Sequence, residues 1–260
     1  MSQPSTVTIA SDLRLRLRPI LLDSGRFRST DDFEVCRLLR DCDQLQKADA
    51  ALASLVRAEI YQVLGAVDEI EKWADNAYKL GLVNDSLALR AIAYSNLGFF
   101  SKSSALFAEV VKVSRGQVNQ HLALGLTCGS FVDMQEAAQA WVAAGGTINC
   151  EDKVMYASSI SAVMKRLEVS EATLRELMDE AGHVMRTRRL LWLNECPDYL
   201  ISEQNEAPFL AVQYQVKVQP YEAAQMTWEL AEALAERGVM PPSLTVSFVG
   251  VEPRIARERK

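Results

Sequence analysis

The run AIAYSNLGFFSKSSALFAEV, residues 91–110, decides the fold. Ahead of Gly98 stand Ala91 and Tyr94; behind it come Phe100, Phe107 and Val110. Glycine reaches positive φ without a Cβ clash, so one helix can end there and the chain can double back. A second helix then follows, and the large apolar residues interlock the pair. Such a hairpin still has an uncovered apolar face. Stacking on a neighbour covers it, so units of this kind come as an array with modified ends.

The same element recurs outward from this run. Ser24-Gly25-Arg26-Phe27, Leu64-Gly65-Ala66-Val67 and Cys128-Gly129-Ser130-Phe131 share its glycine followed, two residues on, by a larger apolar side chain. The four glycines are 40, 33 and 31 residues apart. Around Gly65, Gly98 and Gly129 the flanks match too. Four residues before stand Tyr61, Tyr94 and Gly125; nine after stand Ala74, Phe107 and Ala138; twelve after stand Ala77, Val110 and Trp141.

Across residues 10–148 this pattern resembles the tetratricopeptide-repeat family, whose period is about 34 residues. Ala91, Tyr94, Gly98, Phe100, Phe107 and Val110 carry the resemblance best. The units lack the family's early Trp and late Pro, and Ile70, Ser103 and Met134 stand where it often has Ala. The resemblance implies a concave groove lined by the first helix of each hairpin, which would bind a protein or peptide. Carried across, it assigns partner contacts to Leu55, Glu59 and Gln62, then to Ala88, Ile92, Ser95 and Asn96, then to Asn119, Ala123, Leu126 and Thr127. The lysine–arginine set with which the family clamps a terminal carboxylate is missing.

Helices are expected over about 11–23, 31–47, 49–63, 67–80, 86–97, 101–113, 117–127 and 132–144. In the first, Leu13, Leu15 and Leu17 alternate with Arg14, Arg16 and Arg18, which also suits a strand, and Pro19 interrupts a helix interior. Residues 151–167 and 170–188 read as one more hairpin, a capping unit whose second helix opens on Ser170. Beyond Leu190 the character changes. Leu191–Leu193, Tyr199–Ile201 and Phe209–Val218 are rich in strand formers. Pro220 opens a helix to Arg237, Pro241-Pro242 makes a turn, and Leu244–Val251 alternates again. The expected fold is therefore mainly α with a smaller α+β part: a flexible N-terminus (1–10), a helical-hairpin solenoid (11–189), a β-β-α-β domain (190–251) and a charged tail (252–260).

The bulk properties agree with a helical protein. Of 260 residues 49% are hydrophobic and only 7% aromatic. The net charge of −6 disfavours sequence-independent binding of nucleic acid or anionic membranes. Five cysteines with irregular spacing read as free thiols in a reducing cytoplasm. No signal peptide and no apolar run of membrane-spanning length is present.

Candidate chemistry is sparse. His121 and His183 belong to no spaced metal set. Cys196 with His183 and Glu195 is the one nucleophile–base grouping to name, and nothing fixes its geometry. Phosphate loops and a G-x-S-x-G are absent. Asp68, Glu69 and Glu71 fit a helix start, where the dipole favours acid. The expectation is a protein with no catalytic residue, metal or cofactor. Arg14, Arg16, Arg18, Arg26 and Arg28 form a basic run suited to an acidic partner or phosphate, and further runs lie at Arg186–Arg189 and Arg254–Lys260.

Three functions fit, in this order. The first is a non-catalytic interaction module, an adaptor, chaperone or secretion-associated scaffold of bacterial type. The second is an immunity or antitoxin-type inhibitor of a protein partner. The third is an enzyme or nucleic-acid regulator with its active part in 190–251. Strand edges in that last portion would suit a homodimer.

Overall fold

The computed structural model describes residues 6–114, 118–193, 196–202, 208–238 and 243–251. Within them the chain runs α1 (Thr6–Ser24), α2 (Phe33–Ala48), α3 (Ala50–Leu64), α4 (Val67–Lys79), α5 (Val83–Asn96), α6 (Phe100–Val113), α7 (Val118–Thr127), α8 (Phe131–Ala143), α9 (Glu151–Arg166) and α10 (Glu171–Thr187). Then follow β1 (Asp198–Ser202), β2 (Phe209–Val216), α11 (Pro220–Arg237) and β3 (Leu244–Gly250). The protein is mainly α with a small α+β part.

Four helical hairpins, α1–α2 to α7–α8, pack in sequence. Gly25, Gly65, Gly98 and Gly129 adopt φ of 53°, 65°, 70° and 67°, the left-handed conformation the turns require. Phe100, Phe107 and Val110 are fully buried. The 40-residue first interval reflects a long connection, because residues 25–32 lie between α1 and α2.

Helix α1 starts at Thr6, so residues 6–10 are helix rather than part of an irregular N-terminus. Leu13 and Leu17 are buried with Ala10, a spacing of three and four, while Leu15 is exposed. That face packs on α2 and α3, and it overrides both the local alternation and Pro19.

Helix α10 departs from the expected capping hairpin. Helix α9 packs on α8, whereas α10 crosses the turn edge of the array and lies against α6 and α11. A Cβ built on Gly98 would sit 2.5 Å from the Cα of Gly182, so backbone meets backbone at the crossing. Further along, the Arg175 guanidinium donates to Gly129 O at 2.8 Å. Arg186 donates to Gly98 O and covers the Phe99 ring at 3.9 Å. Helices α6 and α8 have no capping side chain of their own. Helix α10 supplies acceptors instead. Asp179 Oδ1 accepts from Ser101 N (3.1 Å), and Glu171 Oε1 accepts from Val132 N (2.8 Å). Carboxylates thus meet helix N-termini and guanidinium groups meet C-terminal carbonyls, as the helix dipole favours. Arg186 complements the end of α5 rather than that of its own helix.

The segment after α10 continues along the same edge. Phe27 N donates to Arg189 O (2.8 Å), Leu191 N to Gly25 O (3.0 Å) and Trp192 N to Asn96 O (3.1 Å). Leu191–Leu193 is therefore irregular chain, not a strand; its apolar side chains answer to burial. The Phe27 ring closes over Gly65, 2.6 Å from where a Cβ would stand.

Strand β1 pairs antiparallel with β2, and β2 pairs parallel with β3 across α11. This is the expected β-β-α-β order. Tyr214 of the central strand packs against Trp192, Phe100 and Phe248 at ring distances of 5.1, 5.6 and 5.8 Å. One continuous core runs from α5 through the sheet to α11. Packing thus crosses the expected boundary at 189/190. The Pro241-Pro242 turn and the 252–260 tail lie outside the described residues.

Candidate functional site

Helices α3, α5 and α7 are the first helices of their hairpins and pack side by side. Of the α3 residues expected to face a partner, none is free. Leu55 is buried against Ala74, Ala77 and Leu89. Glu59 holds Arg14 of α1, with the closest contact at 2.7 Å. Gln62 is buried and accepts from Asn96 Nδ2 at 3.1 Å. On α5, Ala88 belongs to the main core. On α7, Leu126 is buried, and Asn119 donates to Thr147 O (2.7 Å) while accepting from Asn149 N (3.1 Å).

The other five converge. Ile92, Ser95 and Asn96 of α5 and Ala123 and Thr127 of α7 line one cleft of about 160 Å³. Gln120, His121 and Leu124 complete it. These three were not assigned from sequence, although they neighbour the assigned α7 positions. At about 30 Å³ per water, the volume holds roughly five waters or one medium side chain.

The cleft is built rather than merely open. Ser95 is 1% exposed, and its hydroxyl has no hydrogen-bond partner among the described residues. A helical serine ordinarily bonds back to the carbonyl four residues earlier. Here that carbonyl, Ala91 O, already accepts from Ser103 Oγ at 2.7 Å. An unmet buried hydroxyl costs on the order of 1–3 kcal/mol, so it is an anomaly that a ligand acceptor would remove. Burial holds the His121 imidazole below its ordinary pKa, with Asp85 acting weakly in the other direction. The cleft is thus lined by neutral donors and acceptors between apolar walls of Ile92 and Leu124.

Two larger clefts flank α8, of about 420 Å³ toward α6 and 500 Å³ toward α9. The first is lined mostly by alanine and valine with Lys112, Asp133 and Glu136, and the second mostly by apolar residues with Gln139 and Glu151. No unpartnered buried polar side chain faces either among the described residues.

The N-terminal arginines do not assemble into one free patch. Arg14 pairs with Glu59, Arg16 with Asp41 at 2.7 Å, Arg26 with Glu222 at 2.6 Å and Arg28 with Asp32 at 3.6 Å. Arg18 is exposed. These pairs tie α1 and the following loop to α2, α3 and α11.

No catalytic grouping forms among the described residues. His183 and Cys196 are both exposed and no hydrogen bond joins them; Glu195 lies outside the described residues. Burial pushes the Cys42 thiol up to about 12 and that of Cys128 up to about 11, which suppresses thiolate formation. No group of three or more His, Cys, Asp or Glu is placed to hold a metal among the described residues. Asp68 and Glu69 sit in the first turn of α4, and Glu71 accepts from Tyr94 OH. Where the C-terminal unit meets Gly25 the pocket measures about 10 Å³, room for one water at most. No described helix is long and apolar enough to cross a membrane.

Compared with protein-family profiles, characterised proteins and solved structures, the chain matches none significantly. What the fold and cleft define is a class: a stack of helical hairpins tied along its turn edge by a crossing helix and completed by a small α+β unit.

Proposed function

We propose that this chain is a non-catalytic interaction module that takes an extended peptide segment of a partner protein in the cleft between α5 and α7. The observation that carries the reading is Ser95, which lines the cleft where five of the expected contact residues meet and whose buried hydroxyl has no partner among the described residues. A peptide carbonyl would satisfy it. An apolar side chain would fill the space between Ile92 and Leu124, with Gln120 at hand for a further backbone bond. The tetratricopeptide resemblance supports the same face, because first helices line the groove there. The free state of all five cysteines supports action in the cytoplasm.

The test is selection from a displayed random-peptide library on immobilised protein, followed by fluorescence anisotropy with the selected peptides. Ile92→Asp should abolish binding, and Ser95→Ala should weaken it about tenfold, the worth of one hydrogen bond in a desolvated site. Selection of no peptide above background, or equal binding by Ile92→Asp, would overturn the proposal.

A further inference from the structure

Helix α11 carries two apolar stripes where the fold needs one. Ala223, Met226, Leu230 and Leu234 are buried toward the sheet. A second stripe points outward: Tyr221, Ala224, Trp228, Ala231 and Ala235, all exposed, with Tyr221 and Trp228 each 68% accessible. Its spacing alternates three and four residues, the seam of a helix that pairs with another helix. The Trp228 indole N–H already donates to Glu232 Oε1 at 2.7 Å, so the ring can be covered without orphaning its polar end.

We infer that this stripe is the contact surface of a homodimer in which α11 packs antiparallel on α11 of a second copy. Shape and charge both select that occupant. With the two-fold axis beside Trp228, residues equidistant from it face each other, so Tyr221 meets Ala235 of the second copy and the two Trp228 rings meet at the centre. Large thus faces small at both ends. The carboxylates of Glu232, which accepts the Trp228 N–H, and of Glu236 lie on the C-terminal half of the helix. The one acid of the N-terminal half, Glu222, is turned to Arg26. Antiparallel pairing sets the acidic half against the uncharged half and its positive dipole end. Parallel pairing would set each carboxylate beside its own copy. The same acids repel an anionic membrane. The four aromatic rings, at ~200 Å² each and two-thirds exposed, remove roughly 500 Å² from water, which fits a weak dimer of micromolar affinity. The dimer is placed on α11 and not on a strand edge.

Sedimentation equilibrium over ~1–200 µM should show the mass rising from 28.9 kDa toward twice that value. Trp228→Glu, an exposed site, should keep its circular dichroism and weaken association by about 30-fold or more. A second measurement fixes the register. In a Cys196→Ser background, Tyr221→Cys mixed with Ala235→Cys should cross-link, while neither does so alone. A constant monomer mass up to ~200 µM, a Trp228→Glu dimer as tight as the parent, or cross-linking of Tyr221→Cys with itself would each overturn the inference.

Discussion

Replacing Gly182 with alanine should destabilise this protein, against the ordinary outcome inside a helix. On propensity alone the change adds about 1 kcal/mol of stability. At this position the new Cβ would stand 1.9 Å from Gly98 O and 2.6 Å from Gly98 C. Those are backbone atoms of a turn and cannot rotate aside. Reaching 3.4 Å, an ordinary contact, means lifting α10 by about 1.5 Å (3.4 − 1.9) off the array. Overpacking of this kind costs roughly 1–3 kcal/mol. The lift also stretches the bonds from Arg186 to Gly98 O and from Ser101 N to Asp179, each worth about 1 kcal/mol. The net expectation is a loss of about 2–4 kcal/mol after the propensity gain is subtracted. Urea unfolding followed by circular dichroism measures it, as a lower midpoint at unchanged slope. Gly145→Ala is the comparison. Nothing lies within 4 Å of its Cβ position, so only its positive φ of 85° is charged against it, about 1–2 kcal/mol. A Gly182→Ala variant as stable as the parent, or more so, would refute the crossing as described.

Other perturbations follow from the same structure. Phe107→Ala should cost about 3–5 kcal/mol, because the ring is fully buried and underlies Gly125; an unchanged melting temperature would reject the interlocking role. Tyr214→Phe removes a buried hydroxyl with no partner among the described residues and should raise stability by about 1 kcal/mol in urea. Ser95→Ala should do the same while weakening peptide binding, so stability and affinity move in opposite directions at one atom. For His121 the folded pKa lies below the ordinary 6.5, so the unfolded chain takes up its proton first. Stability present above about pH 6.5 is therefore lost as pH falls, and His121→Gln should lose less than the parent between about pH 7.5 and 5.5 in matched urea titrations.

The turn glycines were legible because residue type records backbone conformation directly: only glycine sits easily at φ near 65°. The core residues around Phe100 were legible through their spacing from those glycines. The route of α10 was not. Its determinants, Glu171, Asp179 and Arg175, look in sequence like the solvated charges of any amphipathic helix, since the groups they satisfy are 39 to 78 residues away. One signal was present, a glycine at 182 in a helix interior with no turn to explain it. Leu191–Leu193 misread as a strand for a related reason, because strand propensity largely registers burial against neighbours. Five of the eleven residues expected to line a groove share one cleft. The others pack or pair within the protein, and no local pattern announces, for example, that Glu59 will be spent on Arg14.

Helix α10 also fixes the spacing of the third and fourth hairpins. Repeat arrays commonly gain or lose units, since each touches only its neighbours. Here Glu171 and Asp179, eight residues or about 12 Å apart along one helix, serve two successive hairpin turns. Inserting a hairpin between them would leave a turn with no acceptor and push the next past its mate. The step between these two hairpins is therefore set by the helix laid across them, and a unit gained there would require the acids of α10 to be re-spaced as well.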